Sequence, residues 1–352
     1  MVFNFFSCQK KTELPVPETL LLKNFRPVSI YNIPITEVNK AKFQVIDVHS
    51  HTYAETPDEI QKWVQTMDEV GIEKTIILSH AWGKEFDSIY DLYSKFPGRF
   101  EVWCGFNYTG YDQPGFGPDA VAELERCFQK GARGVGELGD KGKGLFYCKP
   151  QAWGMHSDDP RMDPLFEKCA ELGMPVNIHL GEPKWMYEKM DSTNDGLMNA
   201  YEWRLDNQEG IVDHQGMVDI LERTVARHPK TTFIACHLAN CCYNLSLIGG
   251  LLDKYPNLYI DIGARFAEFS AIPRTTSAFF NKYQDRILYG TDMGNSPDMY
   301  KITFRLLETA DEHIYDERFS YHWPLHALAL PDEVLEKVYR SNILKIYPPA
   351  TL

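Results

Sequence analysis

Residues 44–51 read QVIDVHSH, a short apolar run that ends in two histidines separated by one residue. In a β-strand, the side chains at positions i and i+2 point to the same face of the sheet. His49 and His51 can therefore face one site and bind one ion. An HxH pair alone is weak support for a metal site, so its interpretation depends on where the pair lies in the fold.

Short apolar runs of this kind recur along the chain and alternate with longer helical patterns. The helical patterns include 57–70, 119–130, 164–172 and 217–227, and several end at glycine, as helices tend to. Eight strand–helix repeats predict a parallel sheet closed into a (β/α)8 barrel, also called a TIM barrel. The predicted strands are 44–51, 75–80, 100–106, 133–138, 175–180, 232–237, 258–263 and 286–292.

Length and composition agree with one large barrel domain. The chain has 352 residues, of which 44% are hydrophobic and 24% charged, and a barrel needs about 250. We predict an N-terminal extension at 1–42 and a single domain at 43–352. The net charge of −13 argues against binding to nucleic acid or anionic lipid, so we expect a small-molecule substrate. A homo-oligomer is compatible with the sequence, which does not determine the oligomeric state.

The beginning of the chain leaves the cellular location open. No run of about 20 apolar residues is present, so no transmembrane segment is predicted. Residues 1–7 (MVFNFFS) precede Cys8 in an order that resembles the end of a bacterial lipoprotein signal, although the apolar core and basic start are shorter than usual. A truncated signal would indicate a periplasmic, membrane-anchored lipoprotein. An unstructured tail would indicate a cytoplasmic protein.

Two long segments interrupt the strand–helix rhythm, at 139–162 after the fourth strand and at 181–215 after the fifth. Both start at the carboxyl ends of strands, where barrel enzymes build their active sites. They are rich in aromatic residues, and we predict that they form lids or substrate walls, with Trp185 contacting the substrate. Packing of these insertions over the barrel rim is the alternative. Residues 331–347 read as an amphipathic closing helix.

Polar residues also end other strands. His179 ends the fifth in PVNIHLGEP, His237 the sixth in TFIACHLAN, and Asp292 the eighth in ILYGTDMG. Each follows mainly apolar residues at the end of the barrel where active sites lie. Structural histidines need not cluster there. Together with the HxH pair, this placement predicts a metal centre held by His49, His51, His179 and Asp292.

Imidazole and carboxylate ligands suit Zn(II), and they are also compatible with Mn, Fe, Co or Ni. We expect one zinc ion at least. Glu137 ends the fourth strand, and three roles for it stay open: a ligand bridging two ions, an acid–base group, or a partner that orients a histidine. Glu137 and His237 could therefore hold a second ion.

These motifs resemble those of the amidohydrolase superfamily. The local sequences IDVHSH, PVNIH, FIACHLAN, YIDIGAR and ILYGTDMG are most similar to the branch that contains aminocarboxymuconate-semialdehyde decarboxylase-like enzymes. The resemblance implies that His49, His51 and His179 bind metal and that Asp292 ligates it and shuttles protons. It also implies that His237 binds a second metal or polarises the substrate.

Glu137 departs from the family pattern, because many members carry a carbamylated lysine on the fourth strand. A glutamate there is similar to the carboxylate of TatD-like deoxyribonucleases and of phosphotriesterase-related enzymes. The departure leaves the number of metal ions open.

Three functions are compatible with these residues. The main expectation is a hydrolase, in which metal-activated water attacks the carbonyl of an amide, lactone or ester and Asp292 transfers protons. The alternative is a decarboxylase or other lyase acting on an aromatic or unsaturated acid, with His237 as the acid. Arg265 could hold a substrate carboxylate in either reaction, or form a salt bridge at the rim. The third is an exported metal- or ligand-binding protein without catalysis.

Overall fold

The computed structural model describes residues 17–347. Within this range eight parallel strands form a barrel, and a short antiparallel hairpin, β5–β6, extends from the fourth of them. The barrel strands are Val45–Ser50 (β1), Ile72–Leu78 (β2), Phe100–Trp103 (β3), Val135–Asp140 (β4), Val176–Leu180 (β7), Phe233–Ala235 (β8), Leu258–Asp261 (β9) and Ile287–Leu288 (β10), and the hairpin strands are Gly144–Leu145 (β5) and Ala152–Trp153 (β6).

Backbone contacts close the sheet into a ring. Strands β1, β2 and β3 pair in that order, and β4, β7, β8, β9 and β10 form the second run. A parallel bridge between Cys104 and Val135 joins β3 to β4. The N–H of Val48 donates to the carbonyl of Tyr289 at 3.0 Å and the N–H of Asp292 to that of His49 at 2.9 Å, which joins β10 to β1. The predicted (β/α)8 barrel is confirmed.

Helices follow the strands and cover the outside of the barrel. Helix α1 shows how the sequence defines them. Thr56 and Glu59 form a capping box at its start, and Gly71, at φ 90°, ends it. The helices are Pro57–Val70 (α1), Gly83–Tyr93 (α2), Pro118–Lys130 (α3), Asp163–Leu172 (α4), Leu197–Ala200 (α5), His214–Arg227 (α6), Leu245–Lys254 (α7), Phe266–Ser270 (α8), Pro273–Lys282 (α9), Pro297–Glu308 (α10), Asp332–Glu336 (α11) and Asn342–Ile346 (α12).

Several predicted strands end earlier in the structure, and the differences at the sixth and eighth strands bear on the site. The sixth ends at Ala235, and His237 follows in a left-handed turn at φ 60°. The eighth ends at Leu288, and Asp292 lies at φ 49°. The apolar patterns continue past both ends, but the backbone must leave the strand conformation to direct these polar side chains into the barrel mouth.

The long segments differ in what they build. Residues 139–162 contain the β5–β6 hairpin, while residues 181–215 contain a 3₁₀ turn at Lys184–Met186 and helix α5. Met186, Ala200 and Leu205 form a small apolar cluster, against which Trp185 packs. Packing therefore accounts for part of the aromatic content of the second segment.

The two ends of the described chain lie against the barrel. Thr36 bonds to Asp311 through both its N–H and its hydroxyl, at 2.8 and 2.7 Å. The predicted closing helix consists of α11, a π-helical turn at Lys337–Ser341 and α12, and Ile343 packs among side chains of the strands. No helix in residues 17–347 is long and apolar enough to cross a membrane. Cys8 lies outside the described residues, so its lipidation and the boundary at residue 43 stay predictions.

Candidate metal centre and active site

The six residues predicted as metal ligands meet at the carboxyl ends of the strands. His49 and His51 come from β1, Glu137 from β4 and His179 from β7. His237 and Asp292 lie in the turns after β8 and β10. We call these six residues the metal cluster. His51 Nε2 lies 3.1 Å from Asp292 Oδ1, and His49 Nε2 lies 3.7 Å from the same atom.

Glu137 lies at the centre of the metal cluster, and its two oxygens face different histidines. Oε1 accepts a hydrogen bond from His179 Nδ1 at 2.6 Å and lies 3.4 Å from His237 Nε2 and 3.7 Å from His49 Nε2. Oε2 lies 3.7 Å from His51 Nε2. Of the three roles predicted for Glu137, orientation of His179 has a direct contact in the structure, and the separated oxygens also suit a bridging ligand.

Backbone and carboxylate acceptors fix the orientation of the other histidines. His49 Nδ1 bonds to Asp261 Oδ2 at 2.9 Å, His51 Nδ1 to the carbonyl of Leu78 at 3.0 Å, and His237 Nδ1 to that of Gly263 at 2.8 Å. A carbonyl or carboxylate only accepts, so each Nδ1 carries a proton and each Nε2 faces the cluster, where it can bind a second proton or a cation. Such partners are typical of metal-binding histidines.

Burial and neighbouring charges shift the pKa values of the histidines in the metal cluster. Burial opposes protonation of His49, but Asp261, Asp292 and Glu137 outweigh it and raise its pKa to about 10. Burial likewise opposes protonation of His179, yet Glu137 raises its pKa to about 9. Burial and the charges of His179 and Arg265 lower the pKa of His237. Without a cation, the cluster therefore holds protons on its imidazoles.

The residues present fit a divalent cation. His49 Nε2 and His179 Nε2 are buried and have no hydrogen-bond partner among the described residues. Buried polar atoms are normally paired, so the unpaired His49 Nε2, 3.7 Å from both Glu137 and Asp292, indicates a ligand position, whereas His179 Nε2 lies 3.7 Å from Glu182. His49, His51 and Asp292 have ligand atoms close enough to share one ion. A divalent metal site is supported, whereas zinc as the metal stays a prediction.

Aromatic side chains line the cluster. Tyr147, from the first long segment, lies with its ring centroid 4.7 Å from that of His80 in a stacked arrangement and 6.0 Å from that of His179. Tyr53 donates its hydroxyl to Asp292 Oδ1 at 3.4 Å. The first long segment thus lies beside the cluster, and its role as a substrate wall stays a prediction.

The two predicted substrate-binding residues, Arg265 and Trp185, have partners outside the metal cluster. Arg265 is buried and donates to Asn240 Oδ1 from Nε at 3.0 Å and from Nη2 at 2.6 Å. It also forms ion pairs with Glu182 at 3.7 Å and Glu268 at 3.5 Å. Trp185 packs against Trp323 at 5.9 Å. Arg265 thus has partners within the chain, and substrate binding by either residue stays a prediction.

His80 and Asp261 lie at the cluster and were not among the predicted site residues. His80 follows β2, and its Nε2 lies 3.6 Å from Glu137 Oε2. Asp261 ends β9 and accepts from His49, from the N–H of His237 at 3.0 Å and from Asn177 Nδ2 at 3.1 Å. Both end a predicted strand or lie next to its end, so the rule that identified the other residues could have identified them.

Comparison with known proteins places the chain in a family. A family model described as amidohydrolase matches residues 103–348. The chain belongs to the amidohydrolase family. The match includes Glu137, His179, His237 and Asp292, and the predicted superfamily is confirmed. No curated protein matches the sequence of this amidohydrolase.

Solved structures share the fold of this amidohydrolase over nearly their whole length. The 2,6-dihydroxybenzoate decarboxylase from Rhizobium aligns with a TM-score of 0.54 at 17% identity, covering 86% of this chain and 98% of that one. A dihydroxybenzoic acid decarboxylase from a Polaromonas species aligns with a TM-score of 0.55 at 16% identity, covering 88% and 99%. A 5-carboxyvanillate decarboxylase from Novosphingobium aromaticivorans aligns with a TM-score of 0.53 at 14% identity, covering 89% and 99%. These neighbours share the barrel fold of this chain.

Proposed function

We propose that this amidohydrolase is a metal-dependent decarboxylase that releases carbon dioxide from an aromatic carboxylic acid. The alternative function predicted from the sequence thereby takes precedence over hydrolysis. The observation that carries the proposal is the aromatic wall, since Tyr147 lies over His80 and Tyr53 bonds to Asp292 beside the metal cluster. A planar aromatic acid fits beside such rings. Structural neighbours that act on hydroxylated benzoates support the same class of substrate.

His49, His51 and Asp292, whose ligand atoms lie close together, would hold the cation, with His179 as the fourth predicted ligand. Once bound, the cation would fix and polarise the oxygens of the substrate. Two of the neighbours contain manganese, so manganese joins zinc as a candidate metal. Glu137 would remain ionised, because its contacts with His179 and His237 hold its pKa well below the usual range despite its burial.

His237 is the residue proposed to supply the proton. Because its Nδ1–H donates to the carbonyl of Gly263, Nε2 is the atom that takes up and gives away a second proton. Nε2–H transfers this proton to the ring carbon that bears the carboxylate. The bond between the ring and the carboxylate then breaks, its electron pair returns to the ring, and carbon dioxide leaves. His237 recovers a proton from solvent, so each turnover replaces one carboxylate by one hydrogen.

The test is a panel of hydroxylated benzoic acids incubated with the manganese- or zinc-loaded protein in deuterium oxide. We expect release of carbon dioxide and a product with deuterium at the carbon that carried the carboxylate. His237→Gln should lower kcat by about 10²- to 10⁴-fold, as loss of a general acid does. Product formation without carbon dioxide would overturn the decarboxylase assignment.

Hydrolysis is the second candidate, and the position of Glu137 favours it. A carboxylate between two sets of histidines is an arrangement that can bridge two ions, as in many two-metal hydrolases. In that reaction Asp292 would accept a proton from the attacking water and return it to the leaving group. A panel of esters, lactones and amides in ¹⁸O-labelled water distinguishes the two reactions, because only hydrolysis places the label in the product.

A further inference from the structure

His80, two residues after the end of strand β2, lies beside the metal cluster at a position that the family resemblance did not indicate. The N–H of His80 donates to the carbonyl of Gly136 at 3.1 Å, which fixes His80 beside Glu137. Its Nε2 lies 3.6 Å from Glu137 Oε2, and its ring centroid lies 5.0 Å from that of His51. We propose that His80, His51 and Oε2 of Glu137 hold a divalent cation.

The distances suit a shared ion. Ligand atoms about 2.1 Å from a tetrahedral ion lie about 3.4 Å from one another. Glu137 Oε2 lies 3.6 Å from His80 Nε2 and 3.7 Å from His51 Nε2, so small shifts of side chains bring the three atoms around one ion. These three residues have ligand atoms close enough to form one group.

His80 Nε2 is an unsatisfied buried nitrogen. It has no hydrogen-bond partner among residues 17–347. A residue that only packed against Tyr147 would need no nitrogen at this position, and burying an unpaired one costs free energy. The backbone of His80 also lies at φ 57°, a conformation that non-glycine residues adopt rarely and that concentrates at functional sites.

The assignment gives each oxygen of Glu137 its own cation position. Oε2 would share one cation with His51 and His80, while Oε1 lies 3.7 Å from His49 Nε2 and 3.4 Å from His237 Nε2. His51 Nε2 has a single lone pair, so it would bind the ion beside His80, while His49 and Asp292 would bind the adjacent ion. Glu137 would then bridge two ions through separate oxygens. This inference holds for decarboxylation and for hydrolysis alike.

Metal binding tests the proposal independently of activity. Metal-free protein is titrated with Mn²⁺ by calorimetry, and the loaded protein is examined by electron paramagnetic resonance. We expect two ions in the wild type with an exchange-coupled spectrum. His80→Asn should weaken one binding event at least about tenfold and remove the coupling. Asparagine is chosen because it tolerates positive φ.

The matched control is His214→Asn, which removes a buried histidine that bonds to the carbonyl of Asn240 outside the cluster. This control should keep both binding events. Unchanged affinity and coupling in His80→Asn would overturn the proposal. If the wild type binds one ion and His80→Asn weakens it at least tenfold, His80 is a ligand but Glu137 does not bridge two ions.

A second variant keeps the proposal testable if His80→Asn does not fold. His80→Cys places a thiol at the same position, and Co²⁺ bound to a thiolate gives a charge-transfer band in the near ultraviolet. We expect this band in Co²⁺-loaded His80→Cys and not in the wild type. A folded, Co²⁺-loaded His80→Cys without the band would contradict ligation from this position.

Discussion

Two regions at the same end of the barrel are both buried and rich in charge, yet their groups are satisfied differently. The first is the metal cluster. The second, which we call the ion-pair wall, consists of Lys141, Glu182, Arg265 and Glu268. In the wall, Glu182 pairs with Lys141 and with Arg265, and Glu268 accepts from the Tyr321 hydroxyl at 3.0 Å. In the cluster, the Nε2 atoms of His49 and His179 have no hydrogen-bond partner within the described residues, and their carboxylate neighbours lie 3.7 Å away.

The difference indicates which buried charges are available for a ligand. In the ion-pair wall, charge is neutralised by the chain itself, so the wall supports the fold around the site. In the cluster, imidazole nitrogens lack hydrogen-bond partners and carry protons that a cation can displace, so the cluster can accept a ligand. Buried charge alone is therefore a weaker sign of a reactive site than a buried atom without a partner.

The largest expected effect on metal affinity is that of Glu137→Gln. Glu137 contacts His49, His51, His179 and His237, and the amide removes the negative charge that holds this set together. We expect metal affinity, measured by calorimetry, to fall by more than about 100-fold. Glu268→Gln is the matched control, because Glu268 is equally buried in the ion-pair wall, and it should retain the metal. Equal losses in both variants would remove the distinction between the regions.

A smaller loss is expected for Asp261→Asn. Asp261 does not face the cation but fixes the ring of His49 through Nδ1 and accepts the N–H of His237. Loss of such a supporting carboxylate typically costs about 10- to 100-fold in metal affinity. Asparagine keeps the shape of the side chain. Calorimetric affinity equal to that of the wild type would show that His49 needs no orienting partner.

Metal affinity should also rise with pH. The pKa values of His49 and His179 are raised to about 10 and about 9 in the metal-free cluster, so both carry an extra proton at pH 7. A cation must displace these protons, and each gives up to about a tenfold gain in affinity per pH unit until the pH exceeds its pKa.

Stability of the metal-free protein should follow the opposite trend. A raised folded-state pKa stabilises the protein below the unfolded pKa, and this contribution is lost as the pH rises through about 9 to 10.

The predicted rise of metal affinity with pH is tested by calorimetry in buffers with different ionisation enthalpies, which measures the protons released on metal binding. Binding without proton release at pH 7 would contradict the charge state inferred for the cluster.

The smallest effect on metal affinity is expected for Arg265→Met. We expect a change within about threefold, since the side-chain partners of Arg265 within residues 17–347 lie outside the metal cluster. The free energy of unfolding in urea should fall by about 3–5 kcal/mol, because Glu182 and Glu268 lose a buried partner. Unchanged stability with a raised KM for an aromatic acid would instead support the predicted role of Arg265 in substrate binding.

The position of most of the metal cluster could be predicted because barrel geometry converts sequence position into location. Once eight strands are recognised, every residue at a carboxyl end lies at one mouth, so His49, Glu137 and His179 could be identified without coordinates. The same rule applied to the second strand would have added His80. It was missed because the family motifs carry no expectation for that position.

The role of the neighbouring residues could not be predicted, because it depends on partners distant in sequence. Arg265 is separated from Glu182 by 83 positions in the chain, and nothing in the local sequence shows that the two meet. Trp185 likewise packs against Trp323, from a loop whose path no pattern indicates. Side-chain contacts of this kind arise from tertiary packing, not from periodicity.

The sequence by itself determined the barrel, the family and the end of the barrel at which the chemistry lies, because strand period and strand-end polarity are local properties. Only the tertiary structure decided which buried groups are satisfied. It gave Arg265 its carboxylate partners, left imidazole nitrogens of His49, His80 and His179 without a hydrogen bond among the described residues, and divided the oxygens of Glu137 between two sets of histidines. Hydrogen-bond satisfaction depends on distances of a few tenths of an ångström, and these exist only once the chain has folded.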